Sequence, residues 1–590
     1  MRLLRRGAPT LPVLLFALVA APPALAQQPP GLPPPLPGVI ERTAPAEAPA
    51  LGPRLLPPEP ARLGGPGEAR RVALGPTRVE GSTALPPARL RAVLDAVEGR
   101  DVTLAEIEDA RLALLGAYRA AGFPYVAVAA RLAPQADGRP ALVLAVTEGH
   151  VAALRLEGEE IGPASRQARR FLDPVLHQRP LPAAALERAL LLAGDIPGVT
   201  AQGVLRPIAG DPGALELVVR LTRRPVSGFV TLDNRGYPLT GRWQGLAVAQ
   251  LNSLTALGER TEVALLQTDG NGQGFLQVTE EMFLGASGLR LRLYAGAGRA
   301  EPGSALAAIG YAGETRVGGL GLAYPLIRSR PLNLTLTGQF DAFESEVEAR
   351  LAPGAPRSRQ SLDSVRALRF GLDGAMQDAW LATAPAAAVT SGLLRLSQGI
   401  EALGASDGAA GGNARAGSEF GFAKLVAEAS RNQPLALATE GWLLSLLGLV
   451  AGQWSGDVLP PAEKFYLGGN RLGRGFYAGQ VTGDRALAGT LELQLGRTLD
   501  LAMPPDWPGG QALRLGTQFY LFRDEGRAWD NGPAGQDREV ASWGGGVRLQ
   551  FDEGLQLDLE AVRRLTRQPE GAGVAALSED AVFARLLLRF

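Results

Sequence analysis

The last ten residues, AVFARLLLRF (581–590), carry an apolar side chain at every even position. Val582, Leu586 and Phe590 therefore share one face, while Arg585 and Arg589 lie on the other, because successive side chains of a β-strand point to opposite faces. A strand that is apolar toward lipid and polar toward a wet interior is typical of outer-membrane β-barrels. The segment predicts a membrane-spanning strand, with Phe590 as the C-terminal signal of the barrel.

The same alternation recurs upstream from Pro225. In TLELQLG (490–496) three leucines share one face, and Thr490, Glu492 and Gln494 share the other. We count sixteen such runs, which begin near Ser227, Gly241, Thr261, Gly272, Leu289, Thr315, Leu332, Ser364, Ala387, Ala416, Gly441, Ala486, Ala512, Ala541, Leu555 and Asp580. An even number of antiparallel strands suits a barrel, so we predict a sixteen-stranded transmembrane β-barrel over residues 225–590. A soluble β-sandwich or a secreted repeat protein is the alternative.

The lengths of the connections predict which barrel end faces outward. Long segments follow odd-numbered runs, as in ESEVEARLAPGAPRSRQS (344–361), GASDGAAGGNARAG (404–417) and TRQPEGAGVAALSED (566–580). Shorter ones follow even-numbered runs, as in TALGE (255–259), RSRP (328–331) and RNQP (431–434). Outer-membrane barrels have short periplasmic turns and longer outer loops. The short first outer loop and the longer turn RTLDLAMPPDWPGGQ between runs 12 and 13 are exceptions.

The region before the barrel divides into four parts. Residues 1–26 have a basic start, an apolar centre and a small-x-small end at Ala24–Ala26, which predicts a secretory signal peptide. Residues 27–70 are rich in Pro, Ala and Gly, so we expect an extended linker with a short helix around 39–48. Residues 71–148 and 149–224 each follow the order β-α-α-β-β. Two tandem α+β domains are therefore predicted, the first with a capping box at Thr103 and Glu106.

Composition excludes several function classes. Lys+Arg and Asp+Glu both number 59 in 590 residues, so no basic field suggests a nucleic-acid partner. The chain has no cysteine and two histidines, His150 and His177, whose settings suggest exposed or capping side chains. No metal site, catalytic triad or nucleotide motif is apparent. We therefore expect no metal, no cofactor and no enzymatic activity.

One stretch, FYLGGNRLGRGFYAGQVTGD (465–484), is too specific for a plain connection. It falls between runs 11 and 12 and so makes the sixth outward loop. In run 13, Gln518, Tyr520, Phe522 and Asp524 have inward parity, together with Arg514. An arginine on a loop folded into the lumen would pair with Asp524 through two parallel hydrogen bonds. A disordered loop with an ordinary Arg-Gly dipeptide is the alternative on composition alone.

These motifs resemble the two-partner-secretion transporters of the outer membrane, the hemolysin secretion/activation family within the Omp85 superfamily. Two POTRA-like domains before a sixteen-stranded barrel resemble the organisation of that family. SGFVTLDNRGYPLTGRWQG (227–245) is similar to the family's barrel start, YPLIRSRPLNLTLTGQFD (324–341) to a strand-turn-strand segment, and FYLFRDEGRAW (519–529) to a Phe-x-Asp-x-Gly strand. The sixth-loop signature corresponds to Gly468, Gly469, Arg474, Gly475, Phe476, Gly483 and Asp484, and the strand motif to Phe522, Asp524 and Gly526. Gly473 departs from the family, which usually has Val or Ile there.

The resemblance implies a translocator in the outer membrane, with its POTRA domains in the periplasm, that exports one large secreted exoprotein such as an adhesin or hemolysin. Other implied partners are periplasmic chaperones, the barrel-assembly machinery during biogenesis, and outer-membrane lipid. The strand candidates for capturing an unfolded client are RRVALGPTRVE, PYVAVAARL and VTAQGVLRP. A barrel-assembly or insertase factor of the same superfamily is the first alternative, and a substrate-specific diffusion channel is the second.

Overall fold

The computed structural model describes residues 40, 43–45, 51–52, 61–62 and 68–590, apart from gaps at 137, 159–161, 304, 353, 382–385, 410, 438–440, 504–511, 533–534 and 572–573. The predicted signal peptide lies outside the described residues, as does most of the predicted linker. In the described part of the chain, no helix is both long and apolar enough to cross a membrane.

The first small domain comprises β1 (Arg71–Ala73), β2 (Thr77–Glu80), α1 (Pro87–Leu94), β3 (Asp101–Thr103), α2 (Leu104–Ala120), β4 (Val126–Ala133) and β5 (Ala141–Glu148). Its main sheet has the order β2-β5-β4. The capping box at Thr103 and Glu106 is confirmed. The candidate strand RRVALGPTRVE (70–80) is not continuous: it breaks between β1 and β2, where Pro76 has no N–H to donate, and β1 pairs with β3 instead. The first helix ends at Leu94.

The second small domain repeats this arrangement. It comprises β6 (His150–Glu157), α3 (Ala164–Leu172), a 3₁₀ turn (Asp173–His177), α4 (Ala183–Gly194), β7 (Val199–Pro207) and β8 (Ala214–Arg223). Its sheet has the order β6-β8-β7, with β6 parallel to β8 and β7 antiparallel to it. The core lies between this sheet and the two helices, around Phe171, Leu172 and Leu217. The two domains are therefore copies of one topology, as the sequence predicts.

The rest of the chain closes into an antiparallel barrel of sixteen strands. Its strands are β9 (Val226–Asp233), β10 (Gln244–Asn252), β11 (Arg260–Thr268), β12 (Gln273–Phe283), β13 (Arg290–Ala300), β14 (Ala312–Arg328), β15 (Leu332–Ala349), β16 (Ser358–Asp378), β17 (Ala388–Gly399), β18 (Ala423–Leu437), β19 (Trp442–Ser455), β22 (Arg485–Ala502), β23 (Ala512–Trp529), β24 (Arg538–Phe551), β25 (Leu555–Arg564) and β26 (Asp580–Arg589). A short hairpin, β20 (Phe465–Leu467) with β21 (Val481–Gly483), interrupts the series, and a one-turn helix, α5 (Ala305–Ala308), precedes β14. The predicted fold class and strand number are confirmed.

The alternation that predicted the last strand is present in the structure. Val582, Leu586 and Leu588 are exposed on the outer wall, while Phe583 and Leu587 are buried inside. The C-terminal Phe590 exchanges two backbone hydrogen bonds of 3.0 Å with Gly228 of β9, so it helps to close the barrel.

Several strand ends differ from expectation. Glu344–Ala349 and Ser358–Ser361 belong to β15 and β16 rather than to a loop, and Arg497–Ala502 belong to β22 rather than to a turn. In the β15 extension the outer face carries Glu344, Glu346 and Glu348 in place of apolar side chains, so the period-two apolar signal that marks a lipid-facing strand is missing there. The segment RNQP lies inside β18, which begins later than predicted, and its Pro434 is accommodated by a β-bulge.

In the first domain, the carboxylate of Glu148 closes the loop before α1. It accepts hydrogen bonds from the backbone N–H groups of Thr83 (2.8 Å) and Ala84 (2.9 Å) and from the hydroxyl of Tyr118 (2.6 Å). Burial works to raise the pKa of Glu148, but the hydrogen bonds from Thr83, Tyr118 and Ala84 outweigh it and hold the pKa below its usual value.

We predict that Glu148→Gln destabilises this domain by about 1–3 kcal/mol at neutral pH, because fully buried Tyr118 and two backbone donors lose a charged acceptor. Since the folded pKa is depressed, the wild-type advantage is present above the unfolded pKa of about 4.3 and is lost as the pH falls through the folded value. Thermal unfolding of the full chain, followed by the far-UV helical signal, measures this difference. An equal difference at neutral and strongly acidic pH would contradict the assignment.

A candidate loop latch inside the barrel

The connection between β19 and β22, residues 456–484, is called loop 6 here. After Ser455, the end of β19, the loop contains a 3₁₀ turn, Pro461–Glu463. The β20–β21 hairpin follows, and its tip carries Arg474. The hairpin folds into the barrel: Leu467, Phe476 and Val481 are fully buried against wall residues such as Ala488 and Val540. Loop 6 therefore fills part of the lumen.

Glycines shape the tip. Gly473 has φ of +75°, in the left-handed region that favours glycine, and its carbonyl accepts a 3.0 Å hydrogen bond from Phe476 N–H. At Gly475 a Cβ atom would lie 2.7 Å from the Cβ of Ser542 on β24. Gly468 and Gly469, also at positive φ, close the hairpin through backbone hydrogen bonds to Leu472 and Phe476. The tip thus approaches the wall more closely than a larger residue would allow.

The structure brings Arg474 and Asp524 together. The Nε atom of Arg474 donates to Asp524 Oδ2 at 3.1 Å, and its Nη2 atom donates to Oδ1 at 2.9 Å. The backbone N–H of Arg474 adds a third hydrogen bond, of 2.8 Å, to Oδ2. The guanidinium also stacks 3.6 Å from the ring centroid of Phe522. Arg474 is 4% exposed and Asp524 is fully buried, so this is a desolvated, bidentate ion pair.

A second carboxylate, Glu492 on β22, completes the site. It binds Arg474 Nη1 and also accepts a 2.7 Å hydrogen bond from Arg548 on β24. Two carboxylates therefore face two guanidinium groups. In the sequence, Glu492 shares the polar face of TLELQLG (490–496), but that pattern assigns it no role. The structure places Glu492 opposite Phe522 in the strand register.

Two further arginines hold the tip through its backbone. Arg235, just after β9, donates to the carbonyl oxygen of Arg474 and pairs with Glu560 on β25. Arg564 donates to the carbonyl oxygen of Gly475. Neither arginine was singled out from the sequence, although Arg235 lies within the LDNRG segment of the predicted barrel start.

The remaining motif residues lie at the base of loop 6. Asp484 is fully buried and accepts two hydrogen bonds from Arg415, of 2.6 and 2.8 Å, and one from each backbone N–H of Leu459 and Asn531. At Gly483, an added Cβ atom would lie 2.8 Å from the Cβ atom of Ala528. On β23, a Cβ at Gly526 would lie 3.1 Å from Leu467 of the hairpin. These residues fix the two limbs of the loop against the wall.

The predicted linker also contributes to the lumen. Ile40 and Thr43 have helical backbone, and the Ile40 carbonyl accepts a 2.8 Å hydrogen bond from Ala44 N–H. Ile40 is 5% exposed and packs against Leu246 and Phe275 on the inner wall. No group of three or more His, Cys, Asp or Glu side chains is arranged to hold a metal ion within the described ranges.

This architecture defines a class: an outer-membrane β-barrel of sixteen strands, preceded by two POTRA-type domains and carrying an inward-folded sixth loop. Residues 379–549 match the family described as haemolysin secretion/activation protein ShlB/FhaC/HecB. Residues 74–149 match the POTRA domain of ShlB type. Both matches are to parts of two-partner-secretion transporters, which this chain resembles over residues 74–149 and 379–549. Such a barrel lies in the outer membrane, with the POTRA domains in the periplasm.

Individual relatives are distant. The heme/hemopexin transporter protein HuxB of Haemophilus influenzae is 24% identical over 178 residues, which cover 30% of this chain and 31% of HuxB. The structure of CdiB from Escherichia coli is similar with a TM-score of 0.69 at 17% identity, and the match covers 92% of this chain and 94% of that one. CdiB from Acinetobacter baumannii gives a TM-score of 0.60 at 16% identity, over 88% and 90% of the chains. At these identities the structural likeness concerns the fold.

We predict that Arg474→Ala and Asp524→Ala have strongly non-additive effects on loop 6. Arg474→Ala leaves Asp524 buried without its cation, and Asp524→Ala leaves Arg474 with Glu492 as its one remaining carboxylate of the site. Each single change costs about 3–5 kcal/mol, whereas the double change removes both charges. Because the chain has no cysteine, Val481→Cys, at a buried position of the hairpin, reports loop release through its rate of maleimide labelling.

The control for this cycle is Arg514→Ala with Asp500→Ala. These residues form an Arg–Asp pair across β22 and β23, the strands that also carry Glu492 and Asp524. Both side chains are 71% exposed, so we expect no coupling between the two substitutions. Additive effects of Arg474→Ala and Asp524→Ala would show that the contact does not hold the loop.

We predict that Gly473→Val, which restores the usual family residue, loosens loop 6 in this chain. A β-branched residue at φ of +75° costs about 1–2 kcal/mol, so labelling of Val481→Cys should accelerate by about fivefold to thirtyfold. Gly456→Val is the control, since Gly456 begins the same loop and a Cβ there meets open space. Unchanged or slower labelling in Gly473→Val would show that the tip tolerates another conformation.

Proposed function

We propose that the protein captures one unfolded exoprotein in the periplasm through its POTRA domains and exports it through the barrel. The observation that carries this proposal is loop 6: a long hairpin that packs against the lumen wall and is held there by a buried ion pair at its tip. A channel that exports a polypeptide needs an obstruction that adopts one defined conformation when the channel is closed and that can leave the lumen when the channel opens. A latch built of charges meets this need, because its groups are rehydrated when water enters the lumen.

Capture by strand addition suits the exposed sheet edges of the small domains. Strand β4 pairs only with β5, and β7 only with β8, so each presents one unpaired edge among the described residues. Apolar side chains remain exposed on both strands, with Leu132 at 40% and Val204 at 55%. A groove of about 680 Å³ runs between the two domains, from Tyr125 to Leu205. An extended client adds main-chain hydrogen bonds at such an edge and apolar contacts along the groove.

The N-terminal helical turn is the proposed plug. Ile40 packs against the inner wall near β10 and β11, and Pro45 lies beside Arg235 and Arg474 at one small cavity. Withdrawal of this segment and displacement of loop 6 would together open the lumen. No nucleotide site is apparent in the sequence, so folding of the client outside the cell is the proposed driving force. Chaperones, the barrel-assembly machinery and outer-membrane lipid are the proposed partners during biogenesis.

The test separates this function from its two alternatives. A strain that expresses the chain with the exoprotein encoded beside its gene should release that exoprotein, and Asp524→Asn should lower release by about tenfold or more while the barrel remains assembled. The same strain reports assembly of other outer-membrane proteins, and liposomes report small-solute flux. Improved assembly without exoprotein release would favour the insertase. Steady solute flux that is unchanged in Asp524→Asn would favour the diffusion channel.

A further inference from the structure

Besides Arg474 at its tip and Asp484 at its base, loop 6 carries a buried charge on the limb that precedes the hairpin. Glu463, the last residue of the 3₁₀ turn, is 2% exposed. Arg369 on β16 donates to both of its carboxylate oxygens, at 3.0 and 2.7 Å. Lys424 on β18 lies 2.7 Å from Oε2 and donates a further 2.7 Å hydrogen bond to the Glu463 carbonyl oxygen. One loop residue is thus held at its side chain and at its backbone.

The wall around this residue is organised to receive it. Arg369 also pairs with Asp341 on β15, and Asp341 accepts hydrogen bonds from Tyr294 and Gln339. Gln453 on β19 donates to two loop carbonyl oxygens, those of Glu463 (3.1 Å) and Asp484 (3.0 Å), so it connects the two limbs of loop 6. The cluster draws on strands β13, β15, β16, β18 and β19, none of which contributes to the Arg474 site.

The two sites have opposite charge. At the tip, the loop supplies a cation, and the wall supplies Asp524 and Glu492. At the first limb, the loop supplies an anion, and the wall supplies Arg369 and Lys424. Without Glu463, the ion-pair partner left to Lys424 and the part-buried Arg369 among the described residues would be Asp341, and Arg395 lies near enough to repel Lys424 further. Removing the anion alone therefore leaves uncompensated positive charge in the wall.

We propose that Glu463 is a second anchor of loop 6, independent of the Arg474 latch, and that the loop leaves the lumen only when both anchors are released. Glu463 acts as a positioning residue: it holds the first limb against β16 and β18 while Arg474 holds the tip against β22 and β23. Release of the loop would uncover one positive and one negative patch on different parts of the lumen wall. The export step depends on the proposed function, whereas the anchor itself does not.

The experiment uses the full chain with Val481→Cys as the reporter. Glu463→Gln keeps the shape of the side chain and removes its charge, and we expect labelling by an impermeant maleimide to accelerate by about tenfold or more. Lys424→Met added to Glu463→Gln leaves Arg369 balanced by Asp341, so the double variant should label more slowly than Glu463→Gln alone. This recovery distinguishes charge balance from general damage, because damage would accumulate with a second substitution.

A matched control exists on the same loop. Glu428 on β18 pairs with Arg471 of the hairpin, but the side chain of Arg471 is 53% exposed. Glu428→Gln should leave labelling within about twofold of the reporter chain. Labelling of Glu463→Gln at the rate of this control, or no recovery in the double variant, would overturn the second anchor.

Independence of the two anchors is tested by combining Glu463→Gln with Arg474→Ala. Each anchor alone should still retard labelling, so the combined variant should label faster than either single variant; equal rates would overturn independence. A parallel measurement of exoprotein release separates this inference from the proposed function. If Glu463→Gln accelerates labelling and added Lys424→Met slows it again, but no exoprotein is released, the proposed function is contradicted. The role of Glu463 as an anchor would still be supported.

Discussion

Burial of the Arg474 guanidinium is the constraint on which the loop and its surrounding wall depend. A charged group out of water requires opposite charge and full hydrogen bonding. The barrel supplies both: Asp524 forms the bidentate pair, Glu492 binds the remaining Nη atom, and Phe522 lies under the guanidinium plane. Each comes from a fixed inward position on β22 or β23. The site therefore exists only when the strand register and the loop conformation are both correct.

The sequence predicted the strands of the barrel wall better than the contacts that loop 6 makes inside the lumen. Period-two alternation marks a strand that has lipid on one side, so strand number and inward parity followed directly, and parity led to Asp524. Where acidic side chains replace apolar ones on the outer face, that signal is missing, which is why Glu344–Ala349 was expected in a loop. Glu492 and Glu463 are ordinary acidic residues in the sequence. Their pairing depends on where loop 6 folds, and no local pattern encodes that path.

The latch is also connected to the place where the barrel closes. Strands β26 and β9 share five register pairs, from Arg585–Asp233 to Arg589–Phe229, and the amide of Asn234 extends the ladder by bonding the backbone of Val582 and Ala584. The next residue, Arg235, donates to the carbonyl oxygen of Arg474. The Arg235 carbonyl in turn accepts a 3.0 Å hydrogen bond from Ala478 N–H. The tip of loop 6 is thus bonded to the end of the strand that closes the barrel.

Under the proposed function, charged anchors suit an obstruction that must be removed. A buried ion pair adds little net stability compared with apolar packing, because desolvation offsets the attraction. Removing one partner is nevertheless costly, because the other charge is left buried and uncompensated. The ion pairs consequently specify the geometry of the closed loop but add little to its net stability. When water enters as the loop moves, Arg474, Asp524 and Glu492 regain hydration together, and the penalty for separation falls. An apolar plug of the same size would expose its whole buried surface on opening and gain no such compensation.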